Sequence, residues 1–175
     1  MNETAGRRER CLRAAEGYLG LDMPDHALRE LRRIEQPELC AREFYQIQGE
    51  ALRQKGRYEQ ALEVFGRALA EDPTNAGVLL GMAWCYKRTG RLPQAIDVTE
   101  QAYRASPTEP IILYNLACYF SLAGNKTQAL SWLGRALRME RNLTRLISDE
   151  SDFDRLRADA DFQMLVQTVA EAVRR

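Results

Sequence analysis

The chain has 175 residues, 45% of them hydrophobic, and its 25 basic side chains balance its 25 acidic side chains. A chain of this size and composition is expected to fold as a single domain over residues 1–175. The balanced charge argues against broad electrostatic capture of nucleic acid or a membrane surface, and no stretch approaches the roughly 20 apolar residues that cross a bilayer.

A small-residue position recurs along the chain at a fixed interval of 34 residues, at Ala27, Ala61, Ala95 and Ala129. Five further columns keep the same register: Gly49/Ala83/Ala117, Leu52/Tyr86/Phe120, Gly56/Gly90/Gly124, Ala68/Ala102/Ala136 and Pro73/Pro107. A period of this length is typical of stacked helical units rather than of one mixed core.

The first unit, residues 4–40, follows the period least closely. It has apolar residues with helical spacing at Cys11, Ala15 and Tyr18, but it lacks a glycine in the turn column and has Pro37 early. We interpret it as a degenerate or capping repeat.

The next three units, residues 41–74, 75–108 and 109–142, each predict a pair of helices. In the last of them, Leu113, Leu116, Ala117 and Phe120 follow the i, i+3, i+4, i+7 spacing of one helix face. Because glycine tolerates a positive φ, the glycine column is expected to end the first helix of each pair and reverse the chain. The prolines end the second helix, since a proline disfavours helical geometry in the residue before it.

Residues 143–175 lie beyond the repeat and predict a short helix followed by a longer one. The longer helix carries an apolar stripe at Phe162, Leu165, Val166 and Val169. The stripe could cap the last repeat, fill the chain's own groove or dock into another copy. We favour the cap, because the open end of a stack of repeats exposes apolar surface.

The segment from Tyr45 to Pro73 resembles the signature of the tetratricopeptide repeat family. The matching positions are Tyr45, Gly49, Leu52, Gly56, Tyr58, Ala61, Phe65, Ala68 and Pro73. The later units depart from the signature at Thr99, in the aromatic column, and at Arg141, in the proline column. The resemblance implies an all-α, right-handed superhelical solenoid of four helix-turn-helix repeats with C-terminal capping helices, and it favours a bacterial source.

The sequence offers little for catalysis or metal binding. The lone histidine, His26, stands beside Asp25 with no nucleophile at local spacing. The acidic run at 149–154 lacks the glycine and the terminal glutamate of a calcium loop, so helix capping explains it better. The four cysteines have no C-x-x-C spacing and are expected to be reduced. We therefore predict no enzyme activity, no metal site and no cofactor.

The resemblance implies that the first helix of each repeat lines a concave groove. The candidate peptide-binding residues are Glu50, Arg53, Leu80, Trp84, Lys87, Tyr114, Asn115 and Cys118. Trp84 and Tyr114 are expected to be aromatic anchors, although each ring could instead be absorbed into packing against a neighbouring helix.

We therefore expect a cytoplasmic, non-enzymatic scaffold or adaptor that binds a peptide or a segment of a partner protein, without nucleic acid and without membrane insertion. Within the resemblance, capture of a chaperone's terminal carboxylate is disfavoured, because Leu12, Glu16, Ile47, Gly77 and Gly81 stand where that clamp needs Lys, Asn or Arg. Two alternatives stay open: a secretion-type chaperone for hydrophobic export substrates, and a self-assembling scaffold that forms homo-oligomers.

Overall fold

A computed structural model describes residues 3–173, and the outermost positions of the predicted domain, 1, 2, 174 and 175, lie outside it. Helices make up all the regular structure in this part of the chain. The α-helices are α1 Glu3–Gly20, α2 Pro24–Leu31, α3 Ala41–Gln54, α4 Tyr58–Glu71, α5 Ala76–Arg88, α6 Leu92–Ala105, α7 Pro110–Leu122, α8 Lys126–Met139, α9 Thr144–Ile147 and α10 Ala160–Val173. Short 3-10 helices cover Pro37–Cys40, Arg141–Leu143 and Ser151–Leu156.

The helices group into two compact units, Met1–Thr89 and Gly90–Arg175. The first contains α1 to α5, and the second contains α6 to α10 together with the 3-10 helices beyond residue 140. The single domain and the repeat boundaries stay predictions.

The turn between the helices of a pair has a left-handed residue at the predicted position. Gly56, Gly90 and Gly124 have φ of 72°, 75° and 75°. In the first repeat, which lacks the glycine, Asp22 takes this place with φ 54°, because aspartate tolerates this region better than most residues. The main chain of Met23 then closes the turn by donating to the Tyr18 carbonyl at 2.9 Å.

The second helix of each of the last three pairs ends in an extended residue, whereas Arg32 after α2 has helical angles. Asp72 and Ser106, each followed by proline, have ψ of 88° and 72°. Glu140 has ψ 96° although Arg141 follows it. Its side chain accepts a hydrogen bond from the Asn142 amide at 3.0 Å, so Glu140 caps the start of the following 3-10 helix, Arg141–Leu143.

One apolar cluster of the first unit is built around the buried ring of Phe65 on α4, while a separate cluster includes Cys11, Ala27 and Leu31. A Cβ atom placed on Gly49 of α3 would lie 2.5 Å from two atoms of that ring. A Cβ atom on Gly81 of α5 would lie 2.7 Å from its Cζ. Since real Cβ atoms do not approach carbon so closely, both helices can pack on this ring only where they lack a side chain.

In the second unit, the positions that correspond to Phe65 hold smaller side chains, those of Thr99 and Leu133. Thr99 of α6 is buried where the family prefers an aromatic residue, and its hydroxyl donates to the Ala95 carbonyl at 2.6 Å. This bond within the helix satisfies the buried hydroxyl, so the departure from the signature leaves no unpaired polar group at this position. Leu133 of α8 is also buried, while Ala117 of α7 stands in the Gly49 column.

The C-terminal segment packs on the last repeat of its own chain. Its 3-10 helix Ser151–Leu156 lies on α7, and α10 lies on α8. Phe153 is buried between Tyr114 and Phe162, with ring centroids 5.7 and 5.5 Å away. The Ser121 hydroxyl donates to the Asp152 carbonyl at 2.7 Å. The segment therefore covers both helices of the last repeat.

Replacing Gly49 with alanine tests the packing around Phe65. We expect Gly49→Ala to lower the free energy of unfolding by about 1–3 kcal/mol, because the new methyl group meets a ring that cannot withdraw. The control is Gly66→Ala on α4, where a Cβ meets nothing within 4 Å and the gain in helix propensity is about 0.5–1 kcal/mol. Urea unfolding of the two variants measures both values, and equal effects would contradict the close packing.

Candidate peptide-binding site

In the first unit, an aromatic and charged group forms where α3 packs beside α5. The guanidinium carbon of Arg53 lies 4.7 Å from the centre of the Trp84 ring. Arg53 also donates two hydrogen bonds to Glu50, from Nε at 2.8 Å and from Nη2. Hydrogen bonding to Glu50 raises the pKa of Arg53. Glu50 therefore fixes the guanidinium against the ring.

Trp84 has three neighbours in this group. The guanidinium of Arg88 lies 5.4 Å from the ring on the same helix. Tyr58, the first residue of α4, contacts Trp84 edge to face, with centroids 5.4 Å apart. The Trp84 side chain is nevertheless only half-buried. Its ring is thus held in position while part of its surface stays accessible.

Leu80 and Lys87 lie on the same face of α5 as Trp84, one turn to either side, and both are half-buried. At the start of α5, the Asn75 side chain caps the helix by accepting from the Val78 amide at 3.1 Å. The same side chain donates from Nδ2 to Oε1 of the Gln46 side chain at 3.1 Å. This hydrogen bond joins the start of α5 to α3, at the end of the α3–α5 contact opposite to Lys87.

The second unit differs from the expectation of an open groove. Tyr114 and Cys118 on α7 are only 3% and 2% exposed, because the 3-10 helix carrying Phe153 covers this face of α7. Asn115 is half-buried. The candidate residues that reach a partly open surface together are therefore Glu50, Arg53, Leu80, Trp84 and Lys87.

The Tyr114 hydroxyl is buried and has no hydrogen-bond partner. Burial raises the pKa of this phenol, and the nearby Cys118, Glu150 and Asp152 raise it further. The thiol of Cys118 and the carboxylates of Glu150 and Asp152 have ligand atoms within 4.8 Å of one another. The covered face of α7 thus contains a polar cluster that the sequence pattern did not reveal, since its cysteine and its carboxylates lie 32 or more positions apart.

A second tryptophan has similar neighbours in the other unit. Trp132 of α8 is half-buried, with the Arg135 guanidinium 4.3 Å from its ring and Tyr103 at 5.0 Å. Arg135 also donates to the Tyr103 hydroxyl. Sequence reasoning missed this group because Trp132 lies on the second helix of its repeat, outside the columns expected to face a groove.

The histidine that sequence reasoning considered for catalysis lies against an aromatic ring. His26 is half-buried, and its ring centroid is 5.1 Å from that of Tyr18. Among residues 3–173, no helix is both long enough and apolar enough to span a membrane.

Comparison with known proteins agrees with this architecture. A model of the tetratricopeptide repeat family matches residues 52–102, whereas no curated protein matches the sequence. The chain is similar to the structure of PilF from Pseudomonas aeruginosa, with 18% identity, coverage of 97% of this chain and 78% of that chain, and a TM-score of 0.78.

Two further structures are similar at the level of the fold. TTC0263, a tetratricopeptide repeat protein of Thermus thermophilus, has 20% identity, coverage of 95% of this chain and 98% of that chain, and a TM-score of 0.68. MamA has 20% identity, coverage of 79% of this chain and 81% of that chain, and a TM-score of 0.69. The predicted fold class, an all-α repeat fold of helix-turn-helix units, is confirmed. The right-handed sense of the superhelix stays a prediction.

Replacing Tyr114 with phenylalanine tests the unpaired hydroxyl. We expect Tyr114→Phe to raise the free energy of unfolding at neutral pH by about 1–3 kcal/mol, the usual cost of a buried unsatisfied group. Because burial raises the pKa of Tyr114 in the folded state, the folded protein holds the phenol proton more tightly than the unfolded chain does. The free energy of unfolding therefore falls as the pH rises from the unfolded pKa of about 10 through the folded pKa.

Unfolding measured against pH checks both effects, and Tyr114→Phe should lose less stability than the parent above about pH 10. The control is Tyr103→Phe, which removes the acceptor of the Arg135 hydrogen bond and should destabilise by about 0.5–1.5 kcal/mol. Loss of stability at neutral pH in Tyr114→Phe would show that its hydroxyl is hydrogen-bonded in the folded protein.

Proposed function

We propose that the chain, whose residues 52–102 match a tetratricopeptide repeat model and whose fold is similar to that of proteins with this repeat, is a non-enzymatic scaffold that binds a peptide segment of a partner protein. The fold supports protein interaction in general. The proposed contact surface is narrower than the groove expected from the sequence. It consists of Glu50, Arg53, Leu80, Trp84 and Lys87 in the first unit, and we call it the α3–α5 surface.

The observation that carries the proposal is the position of Trp84. Its half-buried ring is held by Arg53, Arg88 and Tyr58 at centroid distances of 4.7, 5.4 and 5.4 Å. Tryptophan and arginine are enriched among the residues that dominate binding energy. A side chain already fixed before binding loses less conformational entropy when a ligand arrives, so this ring is suited to anchor a ligand.

The charges beside the ring favour a particular peptide chemistry. The guanidinium groups of Arg53 and Arg88 both lie against the Trp84 ring. The ion pair with Glu50 fixes the orientation of the Arg53 guanidinium. A carboxylate on the ligand can bond to guanidinium groups, while an apolar side chain can pack on Trp84 and Leu80. The expected ligand is therefore a short segment with an apolar anchor next to acidic residues.

One alternative expected from the sequence is a chaperone for hydrophobic segments, which would need open apolar surface at Tyr114 and Cys118. Phe153 packs on Tyr114 in this structure, so this face of α7 is less suited to such a role. Phe162 is likewise buried against Phe153 of the same chain. Homo-oligomer formation, the absence of catalysis, and the cytoplasmic location stay predictions.

The experiment uses peptides selected from a random displayed library on the full-length protein. We expect the selected sequences to combine Asp or Glu with a large apolar residue. Trp84→Ala should weaken their binding by about 30-fold or more, which corresponds to the roughly 2 kcal/mol typical of a binding hot spot. Fluorescence anisotropy of labelled peptides measures the affinity.

Trp132→Ala is the matched control, because it removes a half-buried tryptophan that also packs on an arginine and a tyrosine. It should leave the affinity unchanged. Circular dichroism of both variants checks that the fold persists. Parent-like affinity in folded Trp84→Ala, or an equal loss in Trp132→Ala, would exclude the α3–α5 surface as the binding site.

A further inference from the structure

Three side chains with metal-binding atoms meet on the covered face of α7. Cys118 lies on α7, Glu150 precedes the 3-10 helix Ser151–Leu156, and Asp152 lies within that helix. The thiol sulfur and the two carboxylate oxygens all lie within 4.8 Å of one another. We call these three residues the Cys118 cluster, and peptide binding on the α3–α5 surface makes no use of it.

The Cys118 cluster is enclosed by protein. Cys118 is 2% exposed and Asp152 is 4% exposed, while Glu150 is half-buried. Two adjoining carboxylates in such a place repel each other when both are ionised, and a cation between them removes that repulsion.

A second, independent observation points to a ligand that the protein itself does not supply. The Tyr114 hydroxyl is buried beside the cluster, one helical turn before Cys118, and makes no hydrogen bond. Buried hydroxyl groups without any partner are rare in folded proteins. A water molecule bound to a metal ion would give this hydroxyl the partner that it lacks.

The segment that carries the carboxylates is held in place by contacts outside the cluster. Arg157 donates to the Ile147 carbonyl at 3.2 Å, to the Glu150 carbonyl at 2.9 Å and to the Asp154 carboxylate at 2.7 Å. Ser121 fixes the Asp152 carbonyl. These contacts position the segment that carries the two candidate carboxylates before any cation binds.

The geometry points to a site for one zinc-type divalent metal ion, bound by Cys118, Glu150 and Asp152 with water as the fourth ligand. A thiolate favours zinc or cobalt over magnesium and calcium, which prefer oxygen ligands alone. Four-coordinate zinc accepts sulfur and carboxylate oxygen together. On binding, the Cys118 Sγ–H bond breaks, the Sγ–metal bond forms and the proton is released to the buffer.

Such an ion would join α7 to the segment that covers it. Two of the ligands belong to the C-terminal segment and the third belongs to the last repeat, so the ion would act as a clip that keeps the segment on α7. Binding to the folded state alone would raise the unfolding temperature with metal concentration. The role proposed is structural and is independent of the peptide site.

The test is a titration of the metal-depleted, full-length protein with Co²⁺ under a phosphine reductant that leaves the thiols reduced. We expect one equivalent to bind and to give the near-ultraviolet charge-transfer absorption of a cobalt thiolate, which Zn²⁺ then displaces. Cys118→Ala should abolish this band. Cys11→Ala, which removes another buried thiol in the first unit, should retain it.

The carboxylates and the tyrosine are tested in the same titration. Glu150→Gln and Asp152→Asn keep the side-chain shape and should each weaken Co²⁺ binding by at least 10-fold, whereas Tyr114→Phe should weaken it less. All variants should keep the parent's circular dichroism. Absence of a saturable cobalt band in the parent, or a full band in folded Cys118→Ala, would overturn the site.

Discussion

The ring of Phe65 lies against the backbone of two neighbouring helices at once, and the position of the α3–α5 surface depends on this contact. A side chain as small as a methyl group on Gly49 or Gly81 would come within 2.5 or 2.7 Å of the ring. The two glycines therefore determine how closely α3 and α5 approach α4. That distance in turn places Arg53 of α3 at 4.7 Å from the Trp84 ring of α5.

The C-terminal segment determines which parts of the second unit remain available. It places Phe153 on Tyr114, and it is joined to the last repeat through Lys126, whose ammonium contacts Asp159 at 2.6 Å and Asp161 at 2.7 Å. Hydrogen bonding to Lys126 lowers the pKa of Asp159. The segment thereby buries the face of α7 that could otherwise contact a ligand, and the buried region contains the Cys118 cluster.

The repeat period predicted the elements that depend on local sequence. The glycine column gave the left-handed turns, and the proline column gave the extended residues Asp72 and Ser106. Two substitutes were not predictable from the pattern. Asp22 takes the left-handed conformation in place of a turn glycine, and Glu140 is extended although no proline follows it. In both cases a residue of another type adopts the backbone conformation that the glycine or the proline column predicts.

The candidate site was less predictable, because its exposure depends on contacts between distant positions. The columns gave the residues on one face of α5, but they could not show that Tyr58 and Arg88 would hold the Trp84 ring. Burial of Tyr114 depends on Phe153, which lies outside the repeat and has no column of its own. The close packing of Gly81 on Phe65 was also not predictable from the columns. The corresponding positions in the neighbouring repeats hold Ile47 and Asn115, which are not small residues.

The most direct test of this account is a double-mutant cycle between Gly81→Ala and Phe65→Leu, measured by urea unfolding. If the ring of Phe65 is what excludes a side chain from Gly81, shortening it to leucine makes room for the new methyl group. We expect Gly81→Ala to lower the free energy of unfolding by at least about 1 kcal/mol less in the Phe65→Leu background than in the parent. Equal costs in the two backgrounds would contradict it.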